Sequence, residues 1–360
     1  MMKYILIITP NGMLGGTERF IENFYKVMDK NKYRIDFLLY RKWDSKFLKK
    51  FQSDGCRFYF MPYYIKKPFE FIGEMYKFYK IHKEYEYIYC HANHALCMLY
   101  TFPIWCSKDK KIFFHSHNST GNHKLLQRIL SNIIKVRCNR LFACSLEAGK
   151  YMYGKNTDFV VIKNKIDIGR YAYNPVIRSA LRRKYGITDE LVIGHIGGFR
   201  EQKNQQFILR ILEALLNLKN NINIKVILIG DGIMRNKIQQ EVSEKKMDSK
   251  VIFVDGVENV EEYYQMFDLF VLPSIYEGLP FVGIESQASG TYSMFSDVID
   301  PKLAITPLAN FFSLDSPEVW AKYIILHMDE FKNKKDYSDL LIKAGYGLDG
   351  LEKEYGNAWD

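Results

Sequence analysis

Two hydrophobic patterns alternate along the chain. Short apolar runs rich in Ile, Val, Leu, Phe and Tyr recur as KYILIIT (3–9), RIDFLLY (34–40), YEYIYCH (85–91), KIFFHSH (111–117), RLFACS (140–145) and FVVIKN (159–164). Each has the length and β-branched or aromatic content of a buried strand. Between them lie segments with helical spacing. In TERFIENFYKVMDK (17–30) the apolar residues Phe20, Ile21, Phe24, Val27 and Met28 form one face, with Thr17 as a candidate N-cap. The second half repeats the scheme. LVIGHIG (191–197), IKVILIGDG (224–232), VIFVDG (251–256), LFVLPS (269–274) and YSMFSD (292–297) read as strands. In NQQFILRILEALLNL (204–218), Phe207, Ile208, Ile211, Leu212 and Leu215 share a helical face. Such punctuation predicts an α/β protein with mostly parallel sheets covered on both faces. With 360 residues, two doubly wound domains are expected in succession. The expected boundary lies in the polar stretch 168–188, giving domains of 1–170 and 171–343 and a charged tail of 344–360.

Charge separates the halves. Residues 1–170 hold 30 Lys and Arg against 14 Asp and Glu, a net of +16, whereas residues 171–360 carry 21 against 27, a net of −6. This asymmetry predicts an anionic partner for the first half, nucleic acid or an anionic membrane surface. No nucleic-acid motif accompanies it, and the aromatics fall at core positions, so nucleic acid is not expected. All six cysteines lie in the first half without a C-x-x-C pair, the pattern of free thiols in a reducing compartment. The N-terminal apolar run is too short for a signal peptide and reads as a first strand. HALCMLYTFPIWC (94–106) is too short and broken to span a bilayer.

The candidate chemistry falls at strand ends, where open α/β sheets bind ligands. Gly15-Gly16 follows the first strand and precedes a helix. It allows close backbone approach to an anion, or simply a tight turn. In GGFREQKNQQF (197–207), Arg200 and Lys203 can reach one anion at a helix start. Gly230 and Gly232 flank Asp231, either as a close-packed turn or as a nucleotide-facing loop. His91, His115 and His117 end two strands. A catalytic or substrate-binding histidine is expected among them, and at least one structural histidine; no carboxylate or cysteine completes a metal set. In EGLPFVGIE (277–285), Glu277 and Glu285 are eight apart across a helix expected from Leu279 to Ser289. Eight helical residues rise about 12 Å. That exceeds the roughly 5–9.5 Å of a glycosidase acid pair and suits two grips on one extended ligand.

GGTERF, HSHN, ACSLEAGKYMYG, VIKNKID, QKN, IGDG and above all DLFVLPSIYEGLPFVGIESQASG (268–290) resemble retaining glycosyltransferases of family 4, with the GT-B fold. HSHN with ACSLEAGKYMYG resembles the bacterial branch that builds capsular and exopolysaccharides. The resemblance implies a GT-B pair of Rossmann-like domains facing across a cleft. The first would bind acceptor and face the membrane, the second would bind the nucleotide-sugar donor, and the tail would cross back to the first. It implies that Gly15 and Gly16 lie against the donor diphosphate, with Gly230 also on the donor side. His117 would be the active-site histidine, with His115 and His91 as acceptor-side candidates. Lys203 would neutralise the leaving diphosphate with help from Arg200. Glu277, with the backbone of Gly278 and Leu279, would hold donor-sugar hydroxyls, and Glu285 the ribose. No metal and no cofactor are implied, in keeping with the missing D-x-D. The expected partners are a UDP-sugar, a polyprenyl-diphosphate-linked saccharide and the inner face of the cell membrane, with the protein cytoplasmic and peripheral. Two positions depart from the family: Gly198 stands where Arg is usual, and Lys165 where Gly is common. The first raises a second reading, a weakly active or inactive GT-B protein that scaffolds polysaccharide assembly. An epimerase of UDP-sugars is a further enzymatic alternative.

Overall fold

The computed structural model describes residues 2–9, 15–39, 45–118, 124–219 and 222–359. The chain forms two compact units: residues 1–164 with 349–360, and residues 165–348.

The first unit is built on a seven-stranded parallel sheet of order β3-β2-β1-β4-β5-β6-β7. Its strands are β1 (Lys3–Ile8), β2 (Tyr33–Leu39), β3 (Phe58–Phe60), β4 (Tyr85–Ala92), β5 (Lys111–Ser116), β6 (Arg140–Ala143) and β7 (Val160–Val161). Its helices are α1 (Gly16–Val27), α2 (Ser45–Ser53), α3 (Pro68–Ile81), α4 (Lys124–Arg137) and α5 (Leu146–Tyr153), with a 3-10 stretch over Ala95–Ile104. Helix α1 buries Phe20, Ile21 and Phe24 as its periodicity requires. It is capped by Gly15 rather than Thr17, which lies inside the first turn. Ser145 caps α5 by accepting from the Ala148 amide.

The second unit repeats the plan with six strands in the order β10-β9-β8-β11-β12-β13. These are β8 (Leu191–Ile196), β9 (Ile224–Ile229), β10 (Val251–Val254), β11 (Leu269–Leu272), β12 (Tyr292–Ser296) and β13 (Ala309–Phe312). Its helices are α6 (Ile168–Tyr171), α7 (Pro175–Lys184), α8 (Gln205–Leu218), α9 (Arg235–Glu244), α10 (Val260–Met266), α11 (Phe281–Ala288), α12 (Pro317–Phe331) and α13 (Ser338–Lys343). The stretch 168–188, where the boundary was expected, lies wholly within this unit. Asn174 caps α7, and Arg178 and Arg182 on α7 both bind Asp268. Arg170 bonds to Glu261 at 2.6 Å. Residues 165–170 and 344–348 therefore belong to the second unit.

The last helix, α14 (Leu351–Trp359), returns to the first unit. Tyr355 is fully buried there, with its ring 4.7 Å from that of Phe24 and 6.3 Å from that of Phe20. A buried aromatic of this size contributes about 3–5 kcal/mol against its alanine variant. Tyr355→Ala is therefore expected to destabilise the protein by about 3 kcal/mol or more in urea unfolding. A loss below about 1 kcal/mol would show that the helix does not hold the unit together.

Candidate active site

A doubly wound sheet opens a crevice where the strand order reverses. In the second unit that point lies between β8 and β11, which pair over only two residues, Leu269 with Ile193 and Phe270 with Gly194. Beyond them the strands diverge. His195 spans the gap: its Nδ1 lies 2.9 Å from the Val271 carbonyl, and Gln205 Nε2 lies 3.3 Å from its Nε2. Since the carbonyl can only accept, Nδ1 carries the proton and Nε2 accepts from Gln205. Gln205 also donates to the Gly198 carbonyl at 3.0 Å. His195 is wholly buried, and burial first, then nearby Lys203, push its pKa down to about 4.

The loops that leave these two strands are laced together. Lys203 forms an ion pair with Glu277, both side chains being largely buried. Around it, Gln202 donates to the Tyr276 carbonyl at 3.0 Å, the Ile275 amide to the Gln202 carbonyl at 2.9 Å, and Asn204 to the Pro273 carbonyl at 3.1 Å. Asn204 takes a left-handed conformation, φ 52°, which lets the turn after Lys203 enter α8 directly. A Cβ placed on Gly197 would stand 3.2 Å from His195 Nε2 and 3.5 Å from Lys203 Cδ, so His195, Gly197 and Lys203 pack closely together.

Gly198 is covered by its neighbour. A Cβ there would lie 3.4 Å from Arg200 Nε and 3.9 Å from Arg200 Cγ, so the Arg200 side chain runs across the glycine. Gly230, φ +142°, meets a packing demand. Its Cβ would fall 2.3 Å from the Gly197 carbonyl oxygen, and that of Gly232 2.4 Å from the Phe199 oxygen. Of the two readings of this loop, the structure supplies the close-packed turn. Asp231 accepts from the Gly256 amide at 2.9 Å and pairs with Arg235.

Helix α11 begins at Phe281 with Pro280 as its N-cap, later than the sequence predicts. The separation of Glu277 from Glu285 is thus set by a loop over 277–280 and the first turn of the helix, not by eight residues of helical rise. No side chain caps this N-terminus. Glu285 is 2% exposed, and Tyr171 and Tyr264 donate to its two oxygens at 2.8 and 3.1 Å. The structure brings Lys203, Glu277, Gly278 and Leu279 to the crevice and sets Glu285 in the interior behind them. Sequence reasoning missed His195 and Gln205; a lone histidine in an otherwise apolar strand was the available signal.

In the first unit the reversal lies between β1 and β4. Gly15 and Gly16 follow β1 and are exposed, while residues 10–14 of that loop lie outside the described residues. Three histidines gather at the carboxyl ends of β4 and β5. His91 Nδ1 lies 2.9 Å from His117 Nε2, and Tyr89 Oη 2.8 Å from His115 Nδ1. The rings of His115 and His117 stack at 4.4 Å, and Phe20 sets its edge against His115 and His117. His91 and His115 are fully buried, whereas His117 is partly exposed. The donor atoms of the three lie within 4.8 Å of one another, as in a metal site. The rings, however, are inclined by only 6°, 24° and 27°. In-plane lone pairs of nearly parallel rings do not converge on one ion. Burial lowers the pKa of His117 to about 3 and holds those of His91 and His115 well below the usual range. The cluster is a stack of neutral imidazoles in which His91 and His117 share a proton.

Residues 190–328 match the family described as Glycosyl transferases group 1. That segment is a group 1 glycosyl transferase domain. EpsF of Bacillus subtilis, a protein named as a glycosyltransferase, is 29% identical to the chain over 359 residues, covering 96% of this chain and 93% of EpsF. A Campylobacter jejuni α-1,4-N-acetylgalactosaminyltransferase, named for an undecaprenol-diphosphate-linked saccharide, is 35% identical over 99 residues, or 27% of this chain and 26% of its own. Among solved structures, Anabaena HepE in complex with UDP and glucose superposes with a TM-score of 0.81 at 16% identity, covering 100% of this chain and 99% of HepE. The chain is a glycosyltransferase with the GT-B fold. The group 1 domain carries both the Lys203–Glu277 pair and the β8–β11 crevice.

The buried histidines make stability depend on pH. The unfolded chain takes up their protons near 6.5, whereas folded His195 takes one up only near 4 and His117 near 3. Between those values the unfolded state binds more protons, so stability is complete above 6.5 and falls as the pH drops below it. Each such histidine contributes a slope of up to about 1.4 kcal/mol per pH unit. Thermal unfolding followed from pH 7 toward about 4 should show the decline, and His117→Asn should flatten it. A profile unchanged by the substitution would place the titration elsewhere.

Proposed function

We propose that this glycosyltransferase moves a sugar from a UDP-sugar to a polyprenyl-diphosphate-linked saccharide, with retention at the anomeric carbon, in capsular or exopolysaccharide synthesis. The carrying observation is the Lys203–Glu277 pair at the β8–β11 crevice of the group 1 domain. When the donor arrives, Lys203 turns from Glu277 to the diphosphate, whose charge also meets Arg200 and the uncapped N-terminus of α11. Glu277 is thereby released to accept from sugar hydroxyls, with the amides of Gly278 and Leu279 beside it. Glu285, whose carboxylate Tyr171 and Tyr264 hold in place, is the residue that the resemblance assigns to the ribose. The resemblance assigns Gly15 and Gly16 to the donor diphosphate and His117 to the donor sugar. The bond from the anomeric carbon to the diphosphate oxygen breaks as the acceptor oxygen bonds on the same face. The acceptor proton passes to the departing phosphate oxygen, and the positive charge on the sugar ring is met by that phosphate.

UDP and glucose in the HepE complex support the donor class, and the Campylobacter transferase's lipid-linked saccharide supports the acceptor class. The first unit, net basic, is assigned the acceptor, and the second the donor, on the cytoplasmic face of the membrane. Gly198 favours the second reading, an inactive scaffold. The Arg200 side chain lying across Gly198 favours activity, since it returns a guanidinium to that place.

Turnover of UDP-sugars with extracted lipid-linked saccharides tests the proposal. Lys203→Ala and Glu277→Ala are each expected to lower kcat/KM about 100-fold or more, and Arg200→Ala to weaken UDP binding in calorimetry. Unchanged turnover in both alanine variants would overturn the site; absence of UDP binding at low salt would establish the scaffold reading.

A further inference from the structure

One helical layer of the first unit exposes apolar side chains that its core does not use. Helix α3 buries Phe71, Met75, Phe78 and Tyr79 against the sheet. Its opposite face carries Phe69, Ile72 and Tyr76, spaced three and four apart as one outward stripe. Phe69 is 88% exposed, more than any core-facing position on the helix allows. Tyr76 sets its ring against Phe102 of the 3-10 stretch at 5.1 Å. On the far side of that stretch, α4 repeats the arrangement, with Ile129 and Val136 exposed seven apart and Val136 at 77%. Two helices in one layer thus turn large apolar groups outward.

The polar surroundings state what can cover them. Helix α4 has Arg128, Lys135 and Arg137 and no acid in its sequence. Lys80 continues the α3 stripe and Lys77 flanks it, both exposed, with Glu74 3.7 Å from the Lys77 ammonium. Between α3 and the 3-10 stretch, an open cavity of about 340 Å³ is lined by Tyr76, Lys80, Lys83, Lys110 and Asp109, the last 3.5 Å from Lys110. Protruding aromatic and aliphatic groups beside lysines are the composition of a surface that lies in a bilayer interface. The apolar groups enter the acyl boundary while the ammonium groups remain among anionic headgroups. No helix among the described residues is long and apolar enough to cross a membrane, so such contact is from one side.

We infer that the α3–α4 face of the first unit docks on an anionic lipid bilayer, with Phe69, Ile72 and Tyr76 inserted and Lys77, Lys80 and Lys83 on the headgroups. The inference rests on these side chains and holds whatever sugar or acceptor the enzyme uses.

Flotation of the full chain with vesicles tests it, comparing pure phosphatidylcholine with a phosphatidylcholine–phosphatidylglycerol mixture. Binding is expected only to the anionic vesicles and is expected to weaken with salt. A Phe69→Ser/Ile72→Ser/Tyr76→Ser variant should bind them at least about tenfold more weakly at unchanged thermal stability. Lys77→Glu/Lys80→Glu should lose roughly fivefold per lysine. UDP calorimetry on the same variants should match the parent protein, which separates loss of docking from failure of the donor site. Equal binding to neutral vesicles, full binding by the triple-serine variant, or no binding at all would overturn the inference. A parent dimer in sedimentation that the triple-serine variant converts to monomer would also overturn it, by giving the face to a second copy of the chain.

Discussion

Asp268 holds the second unit's crevice in shape. The carboxylate is 1% exposed and receives Arg178 and Arg182 from α7 together with the amide of Val192 at 2.8 Å. Its own amide donates to the Val192 carbonyl at 2.9 Å. These bonds clamp β8 and β11 at their starting ends, where two arginines compensate the desolvated charge. The strands are left to separate toward their carboxyl ends, and the site lies in that separation. The loops after β8 and β11 are short and cross-bonded, so the opening is a fixed notch and not a slack one. Lys203, Glu277 and the start of α11 owe their proximity to a clamp at the opposite edge of the sheet.

His195 completes this arrangement from the inside. Where the ladder between β8 and β11 ends, its imidazole supplies the hydrogen bond to Val271 that a backbone amide would otherwise make. The ring must be neutral to accept from Gln205 on its other edge, and burial enforces that. Its neutrality also serves the site, because a second cation beside Lys203 would compete for Glu277. In the first unit, neutral histidines again gather at strand ends, in T-shaped contact with Phe20 of α1. Both sites thus place their charge on few, chosen groups.

The sheets were largely legible from sequence because parallel strands are buried on both faces and stand out as continuous apolar runs. β3 and β13 were not, being edge strands of three and four residues with too little pattern to register. The resemblance pointed to Lys203 and Glu277, and glycine and proline spacing marked the turn between β11 and α11. The start of α11 was misplaced because proline is favoured within the first helical turn, whereas Pro280 here stands just before it with extended backbone. Thr17 was misread since its hydroxyl is not needed where Gly15 begins the helix. His195 and Gln205 act only through a tertiary gap between strands, which no local pattern encodes. The stretch 168–188 was read as the domain boundary because it is polar, but Arg178 and Arg182 are spent on buried Asp268 and Arg170 on Glu261 within the second unit.

The Lys203–Glu277 pair has a consequence for the turnover cycle. The Lys203 ammonium and the Glu277 carboxylate satisfy one another, so together they present little net charge to an approaching donor. On the proposed reading, the donor must exchange partners on both residues at once, the diphosphate taking the lysine and the sugar taking the glutamate. A nucleoside diphosphate without its sugar can satisfy only half of that exchange. It leaves a largely buried carboxylate with nothing to bind, and the lysine is drawn back toward it. The same contact that keeps the resting site neutral therefore favours expulsion of the spent nucleotide once the sugar has gone.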